Sequence, residues 1–340
     1  MNEYTTTRTN ALIDPGLHVW HYEVPAYLFL GGLVAGVMVL SGWWLLRTEG
    51  YAGGRAGAAG RGPSRALSLL PWAAPILLSV GMLFLWLDLE NRFNVFRFYL
   101  TFEPASPMSW GSWILLAIYP ASILLALRML PHELRACPLS RLARRVGRTE
   151  LGRRAEENFT RVMAWVDART RAIAFANVVL GVGLGVYTGI LLGSLGARPL
   201  WSSAILGPLF LVSGLSTGAA FMMLYALRDD ERITLGRADM ALIAVELALL
   251  GLWITGLATG GAASRAAVGV ILGGPYTAAF WTMVVALGLL APLAAEWLEL
   301  RHGAVPGRLA AVLVLVGGFA LRWILVYAGQ HTNWMMAVLE

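Results

Sequence analysis

Long apolar runs alternate along the chain with shorter segments marked by arginine, proline or glycine. A helix needs roughly 20 residues to cross a hydrocarbon core of about 30 Å. Eight runs fit, at residues 24–46, 70–89, 111–130, 172–194, 202–227, 239–258, 275–297 and 309–329. Lipid offers backbone amides no partner, and the runs far exceed the roughly 9–11 residues of a barrel strand, so each predicts an α-helix. The expected fold is all-α, one polytopic transmembrane bundle of eight spans filling a single integral membrane domain over residues 1–340.

The polar segments set the expected orientation, because cytoplasmic loops collect positive side chains. All 26 basic residues are arginine, and 20 of them fall in the segments after the first, third, fifth and seventh runs. The opposite side has only Arg8, Arg92, Arg97, Arg198 and Arg265, and Arg322 lies within the eighth run. Both termini are therefore expected on the periplasmic or outer side of a bacterial inner membrane. Residues 1–23 lack the pattern of a cleavable signal. Two connections are longer than a bundle needs. Residues 131–171 form an arginine-rich cytoplasmic loop with an expected surface helix near Glu156–Arg171, suited to anionic lipid or to docking. Residues 91–110 combine aromatics, arginines and prolines and predict a structured cap on the outer side.

Composition narrows the chemistry. The chain is 58% hydrophobic and 14% charged, with a mean hydropathy of +0.65, which excludes an ordinary soluble enzyme. Its net charge of +6 reads as membrane topology rather than nucleic-acid binding. One cysteine, Cys137, provides neither a disulfide framework, nor an iron–sulfur site, nor a CxxCH haem attachment. His132 and His302 fall in cytoplasmic loops and His18, His21 and His331 at the outer rim, so facing histidine pairs for a transmembrane haem are not expected.

A strongly polar side chain at membrane depth is a functional candidate, because lipid penalises it unless it meets a partner or a cavity. His18, His21 and Glu23 open the first span, while Asp88 and Glu90 close the second. Tyr187 and Arg322 lie about two turns from the outer ends of the fourth and eighth spans. These groups converge on the outer face. The expected exception is Glu246, about two turns in from the cytoplasmic end of the sixth span, as a proton-relay member or a structural hydrogen-bonding acid. Arg322 calls for a counter-ion, with Asp88 and Glu23 at similar depth and Glu246 roughly 9 Å deeper. Glu23 and Tyr27 share a helix face, and the GGLVAG run from Gly31 to Gly36 permits close packing below them. The notch so formed suits a quinone, which needs an apolar slot, hydrogen-bonding groups at its oxygens and a proton route. It equally suits an aromatic belt containing Trp20, Tyr22, Trp43 and Trp110.

Four stretches in this order, His18–Gly36, Glu103–Leu115, Val186–Ala204 and Gly317–Gln330, resemble the NrfD family of membrane subunits along nearly the whole chain. The resemblance implies a haem-free subunit exchanging electrons with quinone or quinol, either menaquinone or ubiquinone, near the outer ends of the first four helices. It also implies a ferredoxin-like iron–sulfur subunit docked on the outer face and, beyond it, a molybdopterin or cytochrome catalytic subunit. Tyr187 matches a tyrosine that would donate to a quinone carbonyl, and His21 matches an aromatic and histidine cluster. Where relatives place Asn and His, this chain has Val24 and Tyr27, leaving Tyr27, His21 and Glu23 as candidates for the second contact. Glu23 or Asp88 would accept protons. The alternatives are a redox-coupled proton translocator using Glu246 and Arg322, and a non-redox transporter.

Overall fold

A computed structural model of the chain describes residues 20–52, 63–89, 92–100, 102–131, 134, 150–303, 305 and 307–332. His18, Glu90, Asn91, His132 and Cys137 lie outside the described residues.

Among the described residues, eight helices are long and apolar enough to cross a membrane. In chain order they are span 1 (Glu23–Arg47), span 2 (Arg65–Asp88), span 3 (Pro107–Met129) and span 4 (Thr170–Gly193). The second half comprises span 5 (Leu206–Tyr225), span 6 (Asp229–Ala258), span 7 (Thr277–Arg301) and span 8 (Arg308–Gln330). The largest departure from the hydropathy reading is span 6, which starts at Asp229 rather than at residue 239. Asp229, Asp230 and Glu231 occupy its first turn, where the helix dipole favours negative charge, so the helix extends ten residues beyond the apolar run. A short helix, Ala262–Leu272, lies in the connection to span 7. The surface helix ahead of span 4 runs Glu150–Ala168. Arg128 of span 3 holds the junction with span 4, donating from Nε to Thr170 Oγ1 at 2.5 Å and lying 3.5 Å from Asp167.

Spans 1–4 and spans 5–8 pack as two neighbouring groups, joined where span 1 meets spans 5 and 8 and span 4 meets span 5. Spans 1 and 5 are the most enclosed, with 67% and 72% of their apolar stretches buried, and form the centre. The expected close approach below the rim is present as a seam of glycines. An added Cβ on Gly36 would lie 2.3 Å from the Gly214 carbonyl oxygen, and one on Gly218 would lie 2.6 Å from Gly36 Cα. Gly32 and Gly36 thus face Gly214 and Gly218, two pairs spaced by four on facing helices, which lets the backbones touch. Span 7 is π-helical over Phe280–Leu290, ahead of Pro292, and its Gly288 abuts Gly317 of span 8.

At the arginine-poor end, Trp20 and Gln330 exchange two hydrogen bonds, of 2.9 and 3.0 Å. Trp20 stacks on Trp201 at 5.1 Å, and Trp201 donates to the Leu325 carbonyl at 2.7 Å. At the arginine-rich end, the Ser64 amide donates to Glu231, bringing the start of span 2 to the start of span 6.

Candidate functional site

A cavity of about 120 Å³ opens near the arginine-poor end within the first helix group. Its wall is mainly apolar, with Leu78, Met82 and Leu85 from span 2, Leu115 from span 3 and Leu184 from span 4. Tyr27 of span 1 and Tyr187 of span 4 place phenol groups in this lining, within range of each other's charge. Neither phenol has a hydrogen-bond partner among the described residues. Tyr27 is four residues, or about 6 Å, from the start of its span, and Tyr187 is six residues, or about 9 Å, from the end of its own. The antiparallel helices therefore bring the two to similar depth.

Gly111 fixes the position of Tyr187. A Cβ added there would fall 2.0 Å from Tyr187 Oη and 2.1 Å from Cζ, so the phenol occupies the space that any larger residue would fill. Across the cavity, Gly31 lies against Thr188, whose Oγ1 is turned back to the Gly185 carbonyl at 2.8 Å. The sequence reading missed Tyr99, which lies in a four-residue helix, Arg97–Leu100, and closes the cavity from the connection between spans 2 and 3. Burial, with Tyr119 nearby, pushes its phenol up from the ordinary value. Sequence separation hid this role, because nothing in one short loop helix marks it as roofing a cavity between distant spans. Val95 and Met108 also line the cavity, whereas Phe93, Phe96, Leu100 and Trp110 present exposed aromatic and aliphatic surface at the same end.

Beside the cavity is a small titratable cluster. Asp88, the last residue of span 2, lies within electrostatic range of Tyr27, Glu23 and His21. Glu23 is the first residue of span 1, with a buried Oε2 that has no hydrogen-bond partner, whereas His21 is exposed just before it. The rim candidates thus assemble around one opening: two tyrosines inside, and Asp88, Glu23 and His21 beside it.

Arg322 and Glu246 do not belong to this opening, and the counter-ion expected from depth is corrected here. The fully buried Arg322 guanidinium donates to Ser213 Oγ at 2.7 Å, to the Gly318 carbonyl at 2.8 Å and to the Phe210 carbonyl at 3.3 Å. The carboxylate acting electrostatically on it is Glu246, not Asp88 or Glu23. Counting from residue 239 puts Glu246 two turns into its span, but counting from Asp229 puts it 17 residues in, about 25 Å along the helix. The expected gathering of polar groups at the outer face is also incomplete. Asp239 and Glu296 are fully buried inside the second helix group, and Asp239 accepts from Ser216 Oγ at 2.6 Å.

The fold and the two-tyrosine cavity define a polytopic membrane protein with an apolar, phenol-lined cavity at one end. A family model described as polysulphide reductase, NrfD, matches residues 11–333, and the chain belongs to the NrfD family. It is 29% identical to a polysulfide reductase chain of Wolinella succinogenes over 327 residues, 92% of this chain and 94% of that protein. It is 30% identical to protein NrfD of Escherichia coli over 336 residues, 96% and 99% of the respective chains. A tetrathionate reductase subunit of Salmonella typhimurium is 32% identical over 158 residues, 46% of this chain and 44% of that protein. The chain is a multi-pass protein of the bacterial inner membrane and a membrane subunit of a redox enzyme complex.

Proposed function

We propose that the chain exchanges electrons between the quinone pool and an iron–sulfur partner, with quinol bound in the Tyr27–Tyr187 cavity. The observation that carries this reading is the pairing of two uncommitted phenols with an apolar wall and an adjacent carboxylate. The lining fits the ligand: Leu78, Met82, Leu85 and Leu184 suit a hydrophobic ring, and the phenols suit its two oxygens. Quinol supplies two electrons and two protons when bound. Tyr187, held against Gly111, and Tyr27 orient its oxygens by hydrogen bonding. Asp88 beside Tyr27 accepts a proton at its carboxylate, and Glu23 and exposed His21 relay it to the aqueous phase.

The arginine distribution supports a periplasmic location for the cavity end and for both termini. The exposed Phe93, Phe96, Leu100 and Trp110 are the docking surface for a ferredoxin-like iron–sulfur subunit, which would lead to a molybdopterin or cytochrome catalytic subunit. The Wolinella polysulfide reductase protein, a relative by sequence, supports a reductase setting. The test is quinol-analogue turnover by the purified complex. Tyr187→Phe is expected to lower turnover while leaving the subunit in the membrane, and unchanged turnover in an intact complex would refute the assignment.

The buried Glu246 and Arg322, which act on each other electrostatically, favour a second reading, in which electron transfer is coupled to proton movement through the second helix group. Proton uptake in liposomes separates the two. A Glu246→Gln variant retaining both electron transfer and proton stoichiometry would eliminate the relay.

A further inference from the structure

Asp239 and Glu296 stand outside the lining of the Tyr27–Tyr187 cavity. Both are fully enclosed, one on span 6 and one on span 7. Asp239 Oδ1 is satisfied by Ser216, but Asp239 Oδ2 and both Glu296 oxygens have no donor partner. Their helices pack against each other, and the two carboxyl groups are close enough to act on one another. The charged groups acting on them are acids: each other, Glu246 on Asp239 and Glu299 on Glu296. Two ionised carboxylates facing each other in a low-dielectric interior repel strongly, and as acceptors alone they leave their inner oxygens unbonded. One proton between them removes the repulsion and forms an O–H···O bond.

The pair also lies between two polar neighbours. Toward the arginine-rich end, Glu299 is one turn beyond Glu296 and accepts from the Gly307 amide at 2.7 Å in the connection to span 8. Glu296 is five residues, about 7.5 Å, from the end of its span. Toward the molecular centre, Glu246 is two turns beyond Asp239 on span 6, and Ser213 is one turn from Ser216 on span 5. Ser213 contacts Arg322, whose Nη2 rests against Gly32, the residue after the cavity-lining Gly31.

We infer that Asp239 and Glu296 form a proton-binding site that holds one proton between two carboxyl groups, on the arginine-rich side of Arg322 and separate from the quinol cavity. Glu299 connects it to the solution at that end. The site does not depend on the quinol assignment.

A carbodiimide that reacts with protonated buried carboxyls tests this in the purified complex, with the modified residue located by peptide mass spectrometry. In the native protein, label is expected on Asp239 or Glu296 at neutral pH, falling about tenfold per pH unit above the titration point. In Asp239→Asn and in Glu296→Gln the remaining carboxyl loses the repulsion of its partner, so labelling should decline at a lower pH. Binding of a quinol analogue, measured alongside, should be retained in both variants, which separates failure of this site from failure of the quinol reading. If a variant does not assemble, labelling of the native complex still decides the matter. Absence of label from both residues at neutral pH would overturn the inference. So would an unshifted pH profile in both variants, or labelling blocked by sodium ions at constant pH, the signature of a cation site.

Discussion

The contact between Gly111 and Tyr187 provides a test of the cavity through a residue that has no side chain to contribute chemistry. In Gly111→Ala the new methyl would lie 2.0 Å from Tyr187 Oη. An ordinary contact needs about 3.5 Å, so the phenol must retreat by about 1.5 Å. Misplacement of a positioning group by about 1 Å can reduce turnover about 100-fold. Losing one neutral hydrogen bond, as in Tyr187→Phe, forfeits only about 0.5–1.5 kcal/mol, or roughly two- to tenfold. Gly111→Ala should therefore be the more damaging change, by about an order of magnitude, in quinol-analogue turnover normalised to membrane-inserted subunit. Gly183→Ala is the control, since a Cβ there meets nothing within 4 Å, and it should match the native protein. Combining Gly111→Ala with Tyr187→Ala removes the struck ring and should be no worse than Tyr187→Ala alone, a non-additive outcome. Turnover in Gly111→Ala at or above that of Tyr187→Phe would refute the positioning role.

Other consequences are measurable. Gly218→Ala drives a methyl to within 2.6 Å of the span 1 backbone and should destabilise the subunit by about 1–3 kcal/mol in detergent unfolding, whereas Gly251→Ala, with open space around it, should not. Arg322→Leu leaves Glu246 buried without its cation and should destabilise by about 3–5 kcal/mol. Arg322→Lys, which keeps the charge but loses the fan of bonds to Ser213, Gly318 and Phe210, should fall between that variant and the native protein in thermal unfolding. Gly329→Ala would put a methyl 1.8 Å from Trp201 Nε1 and break its bond to Leu325, so indole emission should shift. An unchanged emission spectrum would count against that contact.

The spans were legible because membrane insertion depends on apolar length, a property of consecutive residues. Their ends were less so. Asp229, Asp230, Glu231 and Arg232 interrupt hydropathy but not helix formation, and extending span 6 back by ten residues, about 15 Å, changes where Glu246 sits. The same cause hid Asp239 and Glu296, which fall at the edges of the apolar runs starting at 239 and ending at 297. Hydropathy alone does not say whether an acid at such an edge faces water or turns inward between helices. Tyr187 could be singled out through family likeness and Tyr27 through its spacing from Glu23, but Tyr99 depends on the path of a short connection across the bundle. Close approach at GGLVAG was readable as small residues, whereas its partner at Gly214 and Gly218 was fixed only by the tertiary arrangement.

The paired hydrogen bonds between Trp20 and Gln330 span 310 positions of sequence, and span 1 is enclosed by helices made much later. Assembly in the bilayer is accordingly a long-range problem. The glycine face of the first helix to enter has no mate until span 5 arrives, and the end-to-end clasp closes only with the final turn of span 8. A chain stopped short of Gln330 would contain seven complete spans and most of the eighth, and still lack the latch that joins its two ends.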